Sequence, residues 1–163
     1  MLLTKVKPPE VWTKFTEFSN VYSHLMSDRP AQGTGRLTLK EFRINTLYAT
    51  CDIPKLLARA KFFKGVAAHL WNAEYRELTA SSTWHHGGFF STDILRAASF
   101  AGGRFAPPRV GLKGVVLLCD RLTNLTPVKE SAYNGSHSGL WPNDYNCSTA
   151  NILGFMYVEH TEI

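Results

Sequence analysis

The chain has 163 residues, 44% of them hydrophobic and 19% charged, a composition that fits one folded domain and excludes a disordered segment. Its net charge of +5 favours an acidic or nucleic-acid partner, or a phosphate-bearing ligand, without selecting one. No apolar run is long enough for a membrane span or a signal peptide, so we expect a cytoplasmic protein without membrane association. Cys51, Cys119 and Cys147 form no CxxC motif and are expected to be free thiols.

The N-terminal third predicts one helix and two strands. Apolar residues follow Pro8 and Pro9 at helical spacing, which predicts an N-terminal helix. Its apolar stripe comprises Val11, Phe15, Phe18, Tyr22 and Leu25. The polar residues 27–35 predict a loop, and Leu37–Leu39 and Ile44–Thr50 predict strands.

A second helix is expected to begin at Asp52. This residue can act as the N-cap, and Pro54 suits the first helical turn. The buried face would contain Ile53, Leu56, Leu57, Ala60 and Phe63. The helix would end at Gly65 or continue to about Tyr75.

Residues 84–93 carry the densest set of chemically useful side chains. They include His85, His86, two glycines, two phenylalanines and a pair of hydroxyls. Thr92 or Asp93 is expected to cap a short helix, whose exposed N–H groups would suit an anion. The apolar residues of that helix are Ile94, Leu95, Ala97, Ala98 and Phe100.

The C-terminal half predicts two further strands. Gly114–Cys119 is a continuous apolar run and indicates a strand that is buried on both faces. Residues 126–149 are rich in Asn, Ser, Gly and Pro and predict a long loop. Leu153–Val158 predicts a last strand. Because helices and strands mix without regular βαβ alternation, we expect a single α+β domain over residues 1–163.

Several common sites are excluded. His85 and His86 are adjacent and would point to opposite faces of a strand, and no Cys or His spacing matches a zinc site, so we expect no metal. The chain lacks a P-loop, a dinucleotide-binding glycine fingerprint and a Gly-x-Ser-x-Gly elbow.

Three separated segments nevertheless carry complementary chemistry. Phe42-Arg43 lies on an early strand, Phe90-Ser91-Thr92 precedes a helix, and Glu159 and Glu162 follow the last strand. This order resembles the arginine–serine–glutamate ADP-ribosyltransferases. The resemblance implies that N-terminal and short helices pack on a mixed or antiparallel split sheet, and that NAD is the substrate.

The same resemblance implies a role for each residue. Arg43 would hold an NAD phosphate, where its planar guanidinium fits the oxygens. Ser91 and Thr92 would position the nicotinamide ribose and the carboxylate. Glu162 or Glu159 would bind a ribose hydroxyl and stabilise the oxocarbenium-like transition state as nicotinamide leaves.

Two related patterns add further candidate NAD contacts. Gly35-Arg36 and the later Tyr48 resemble residues of the RES-domain NAD-degrading toxins. His86-Gly87 is similar to the His-Gly pair of poly(ADP-ribose) polymerases. These resemblances imply that Arg36, Tyr48 and His86 contact NAD together with Phe90.

The resulting hypothesis is an NAD-consuming enzyme, such as a toxin or phage effector, that transfers ADP-ribose to a macromolecule or hydrolyses NAD. One alternative is a non-enzymatic module that binds nucleic acid or protein through Arg36, Lys40, Arg43, Arg104, Arg109 and Lys113. Another is an inactive relative, because Asp93 stands at the third motif position and the terminal acids have Glu-x-x-Glu spacing.

Overall fold

Antiparallel β-strands form most of the structure. The computed structural model describes residues 3–7, 42–67, 82–101, 113–128 and 144–160. Strands take 62% of these residues, and each pairing between them is antiparallel. The predicted α+β fold, with short helices on a mixed or antiparallel split sheet, is therefore wrong, since the described strands form one antiparallel sheet.

The described ranges contain nine strands and two short helices. The strands are β1 (Thr4–Val6), β2 (Phe42–Ala49), β3 (Phe62–Ala67), β4 (Thr83–Trp84), β5 (Gly88–Ser91), β6 (Lys113–Thr123), β7 (Thr126–Pro127), β8 (Asp144–Cys147) and β9 (Thr149–His160). The helices are α1 (Ile53–Arg59) and α2 (Ile94–Ala101). The spatial order is β1-β2-β9-β6-β3-β5-β8-β7, and β4 pairs with the start of β9.

The long strand β9 is the centre of the sheet. One of its edges pairs with β6 from Thr149 to Glu159. Its other edge pairs first with β4 and then, from Gly154 onwards, with β2. Every element that carries a candidate residue is thereby positioned relative to β9.

The sheet has two different faces. Helices α1 and α2 cover one of them, which we call the helix face; its core includes Leu47, Phe63, Val116, Leu118 and Met156. The opposite face, which we call the aromatic face, contains Tyr48, Phe62, Trp84, Phe90, Phe155 and Tyr157. Strand β6 contributes buried side chains to both clusters, which confirms the prediction of a strand buried on both sides.

Helix α1 begins as predicted but is shorter. The Asp52 carboxylate accepts a hydrogen bond from the Lys55 N–H at 3.0 Å, which confirms the N-cap. The helix ends at Arg59, so the prediction of a helix to Gly65 or Tyr75 is wrong. Pairing with the buried strand β6 outweighs the helical spacing of Phe63, which lies on β3.

Three strands lie in regions for which the sequence predicted no strand. β5 occupies part of residues 84–93, and β7 and β8 lie within residues 126–149. Polar residues predominate in β8, which obscures its strand pattern. The predicted N-terminal helix, the loop at 27–35 and the strand Leu37–Leu39 lie outside the described residues. Neither described helix has the length and hydrophobicity needed to cross a membrane.

Candidate functional site

Position 43 and Glu159, two residues singled out from the sequence, are direct neighbours across the sheet. The register of β2 with β9 pairs Arg43 with Glu159. The register of β6 with β9 pairs Lys113 with the same glutamate. Residues directly opposite each other share a face, so two basic positions flank one acidic residue at this end of the sheet.

Tyr48 lies on the same face as this charged row. Its ring stacks on Phe155 with 4.8 Å between centroids and meets Tyr157 edge-to-face at 6.4 Å. Alternation along β9 places Phe155, Tyr157 and Glu159 on one face. Tyr48 and Tyr157 are half-buried. The charged row therefore continues a strip of aromatic rings.

Ser91 has a different environment. Only 4% of it is exposed, and its hydroxyl oxygen accepts a hydrogen bond from the Asp93 N–H at 3.0 Å. The Asp93 carbonyl oxygen in turn accepts the Ala97 N–H of α2. Ser91 thus shapes the entrance to α2, as expected for a residue beside a helix cap. Thr92 is half-buried in the same turn.

The sheet does not bring Ser91 and Glu159 together. Ser91 pairs with Phe63, Phe63 with Leu118, and Leu118 with Gly154, all on the helix face. Glu159 lies five positions beyond Gly154, or about 17 Å along the strand, and on the aromatic face. The two residues expected in one pocket therefore lie on opposite sides of the sheet.

The turn before β5 holds the remaining predicted contacts. His86 is exposed, and its ring meets Trp84 edge-on with 4.7 Å between centroids. The Trp84 indole N–H donates to the Gly87 carbonyl oxygen at 2.8 Å. Phe90 is 1% exposed and packs in the aromatic-face core. Arg36 and Glu162 lie outside the described residues.

The space beside Ser91 is small. A recess lined by Phe63, Ser91, Ala97 and Asp144 has a cavity volume of only about 10 Å³, about the room that one water molecule needs. Pockets for drug-sized ligands usually occupy about 300–1,000 Å³. This recess is therefore too small for a dinucleotide. Among the described residues, no group of three His, Cys, Asp or Glu side chains could hold a metal ion.

Sequence reasoning missed a lysine that lies among apolar side chains. Lys64 is half-buried on the aromatic face, with its Nζ 3.5 Å from the Phe89 carbonyl oxygen and 5.6 Å from the Phe90 ring centroid. Burial lowers the pKa of Lys64, and the nearby thiols of Cys147 and Cys119 act in the opposite direction. Because the sequence predicts a helix over this segment, Lys64 was assigned no special role.

A second missed group is a carboxylate that joins three elements. Asp120 accepts a hydrogen bond from the Arg59 guanidinium at 2.6 Å and from the Asn151 side-chain amide at 2.6 Å. The two donors use different oxygens of the carboxylate. This arrangement ties α1 to β6 and β9, and we assign it a structural role. The pairing of β6 with β9 that creates it carries no local sequence signal.

Comparison with known proteins assigns no family. No protein-family model matches the chain, and no curated protein sequence matches it significantly. Function must therefore be argued from the residues and their geometry.

Proposed function

We propose that the chain binds NAD at the aromatic face and cleaves the bond between nicotinamide and ribose, passing ADP-ribose to water or to a macromolecule. The proposal depends on the row that pairs Arg43 with Glu159, on the same face of the sheet as Tyr48. It retains three of the residues selected from the sequence and assigns no catalytic role to Ser91, which stabilises the turn before α2 on the other face.

Arg43 supplies the positive charge that the substrate needs. The pyrophosphate of NAD carries two negative charges, and a guanidinium can bind phosphate oxygens through two parallel hydrogen bonds. Lys113, on the other side of Glu159, adds a second basic position in the same row. Both basic positions flank Glu159. A phosphate bound by the basic side chains would therefore lie next to the ribose bound by Glu159.

Glu159 supplies the carboxylate. When the C1′–N bond breaks, nicotinamide leaves as a neutral base and positive charge develops on the ribose. A carboxylate that is fixed nearby stabilises this charge more in the transition state than in the ground state. Glu159 is only partly exposed, which strengthens such an interaction because less water screens it.

Tyr48 and Tyr157 supply a surface for the planar rings of the substrate. They are half-buried and already pack against Phe155. Aromatic faces of this kind favour stacked rings. The phenol groups add polar contacts without introducing charge.

The test is release of nicotinamide from NAD, with and without cell lysate as a source of acceptors. We expect Glu159→Gln, which preserves shape and removes charge, to lower the rate by about 10²- to 10³-fold. We expect Arg43→Gln to weaken binding of NAD and Arg43→Lys to restore part of it. Glu162→Gln is the matched control, because the sequence left the two glutamates as alternatives.

The possible outcomes separate the candidate functions. Loss of activity in Glu162→Gln but not in Glu159→Gln would overturn the assignment to this row. Absence of both nicotinamide release and a thermal shift with NAD would overturn the enzyme proposal. In that case, nucleic-acid binding that weakens steeply with salt would favour the basic binding module.

A further inference from the structure

Lys64 is a polar residue within an otherwise apolar cluster. It is on β3, on the aromatic face, and its register neighbour on β6 is the fully buried Leu117. The next residues on the same face of β3 are Phe62 and Val66, which belong to that cluster. The apolar stem of the lysine therefore packs as part of a core, and its amine must end where that core meets the surface.

The amine ends against a glycine. A methyl group placed on Gly88 would lie 2.7 Å from the Lys64 Nζ, so the amine lies directly beside the Gly88 backbone. Gly88 is exposed and has φ = +101°, a backbone conformation that side chains rarely adopt. Since Gly88 has no side chain, only its backbone separates the Lys64 amine from solvent on that side. The Lys64 Nζ thus lies next to an exposed stretch of backbone, where the aromatic face meets the surface.

Burial among apolar side chains favours the neutral form of the amine and outweighs the Phe89 carbonyl oxygen and the Phe90 ring, which stabilise the charged form. Within the described ranges, no carboxylate forms an ion pair with Lys64. Burial lowers its pKa, while Cys147, which pairs with Gly88, and Cys119 would raise it if they were ionised. Burial also raises the pKa of both thiols, so they stay protonated near neutral pH. A lysine desolvated in this way is a nucleophile.

We propose that Lys64 is a covalent binding site for small carbonyl compounds, which reach its amine from the exposed side of Gly88. The amine lone pair attacks the carbonyl carbon, and a C–N bond forms. Both amine protons pass to the former carbonyl oxygen, the C–O bond breaks as water leaves, and the nitrogen lone pair completes the C=N bond of an imine. This site goes beyond the proposed NAD activity and does not depend on it.

The test uses benzaldehyde as the probe and sodium cyanoborohydride as the reductant, which adds hydride to the imine and fixes it as a secondary amine. The intact protein is treated at pH 7 with limiting aldehyde, digested and mapped by mass spectrometry. Lys55 and Lys61 are the internal controls, since both are exposed and close in sequence. We expect Lys64 to be labelled at least about fivefold faster than either control.

Two further measurements separate the folded site from an effect of local sequence. In concentrated urea, the preference for Lys64 should disappear, because the unfolded chain exposes every lysine equally. In Lys64→Arg, one adduct should be lost while labelling of Lys55 and Lys61 is unchanged. Equal labelling of Lys64 and Lys61 in the folded protein, or a preference that persists in urea, would overturn the proposal.

Discussion

The tightest contact between helix and sheet predicts the effect of a single methyl group. Gly65 of β3 lies against the backbone of α2, and an added Cβ would collide with the Ala97 carbonyl oxygen and approach the Ala101 backbone nitrogen to 2.7 Å. These atoms belong to the helix backbone, so they can move only if α2 moves. We therefore predict that Gly65→Ala separates α2 from β3.

The size of the effect follows from what the movement disrupts. Overpacking a core usually costs about 1–3 kcal/mol, and we expect about 3 kcal/mol here because no flexible side chain can yield. Displacement of α2 also loosens Ala97, Ala98 and Ala101, which are at most 2% exposed. For a chain of this size, such a loss lowers the melting temperature by about 6–12 °C.

The assay is urea unfolding followed by circular dichroism. Ser148→Thr is the matched control, because it adds one methyl group at an exposed position and keeps the hydroxyl that bonds Asn124. We expect the control to change the free energy of unfolding by less than about 0.5 kcal/mol. A loss below about 1 kcal/mol in Gly65→Ala would refute the close packing of α2 on β3.

Three further predictions concern smaller groups. Asp120→Asn should lower the free energy of unfolding by about 1 kcal/mol in urea titrations, because Arg59 and Asn151 both donate to this carboxylate. Arg59→Lys should lower it by less, since Arg59 is exposed. Equal losses in the two variants would contradict this ranking. Trp84→Phe should lower the free energy of unfolding by about 1 kcal/mol or more, because this buried side chain loses the indole N–H that donates to the Gly87 carbonyl oxygen. An unchanged midpoint of urea unfolding would argue against that hydrogen bond. Iodoacetamide should label Cys147 slowly at pH 7 and faster at pH 9, because burial raises the pKa of this thiol and only the thiolate reacts. Cys119 is buried and should react only after unfolding. Rapid labelling of Cys119 in the folded protein, measured by mass spectrometry, would contradict its burial.

The sequence predicted local structure correctly where one short segment contains all of the residues that determine it. The cap of α1 is an example, since Asp52 and the N–H that it accepts are three residues apart. The apolar run on β6 is another, because burial on both faces leaves a continuous hydrophobic pattern. The strand β3 was missed because Phe63 also fits a helical stripe, and its partner β6 is distant in sequence. Propensity is a weak guide where such long-range pairing decides.

The arrangement of the candidate site depends even more on long-range pairing, which local sequence does not predict. Arg43 and Tyr48 are an odd number of residues apart, so a regular strand would place them on opposite faces. The register with β9 shifts between Ile44 and Thr46, and this irregularity returns both positions to the aromatic face. No motif in the sequence marks that shift. A one-residue change of register moves every following side chain to the other face. The order of Arg, Ser and Glu along the chain therefore could not reveal that Arg43 and Glu159 share a face while Ser91 lies on the other.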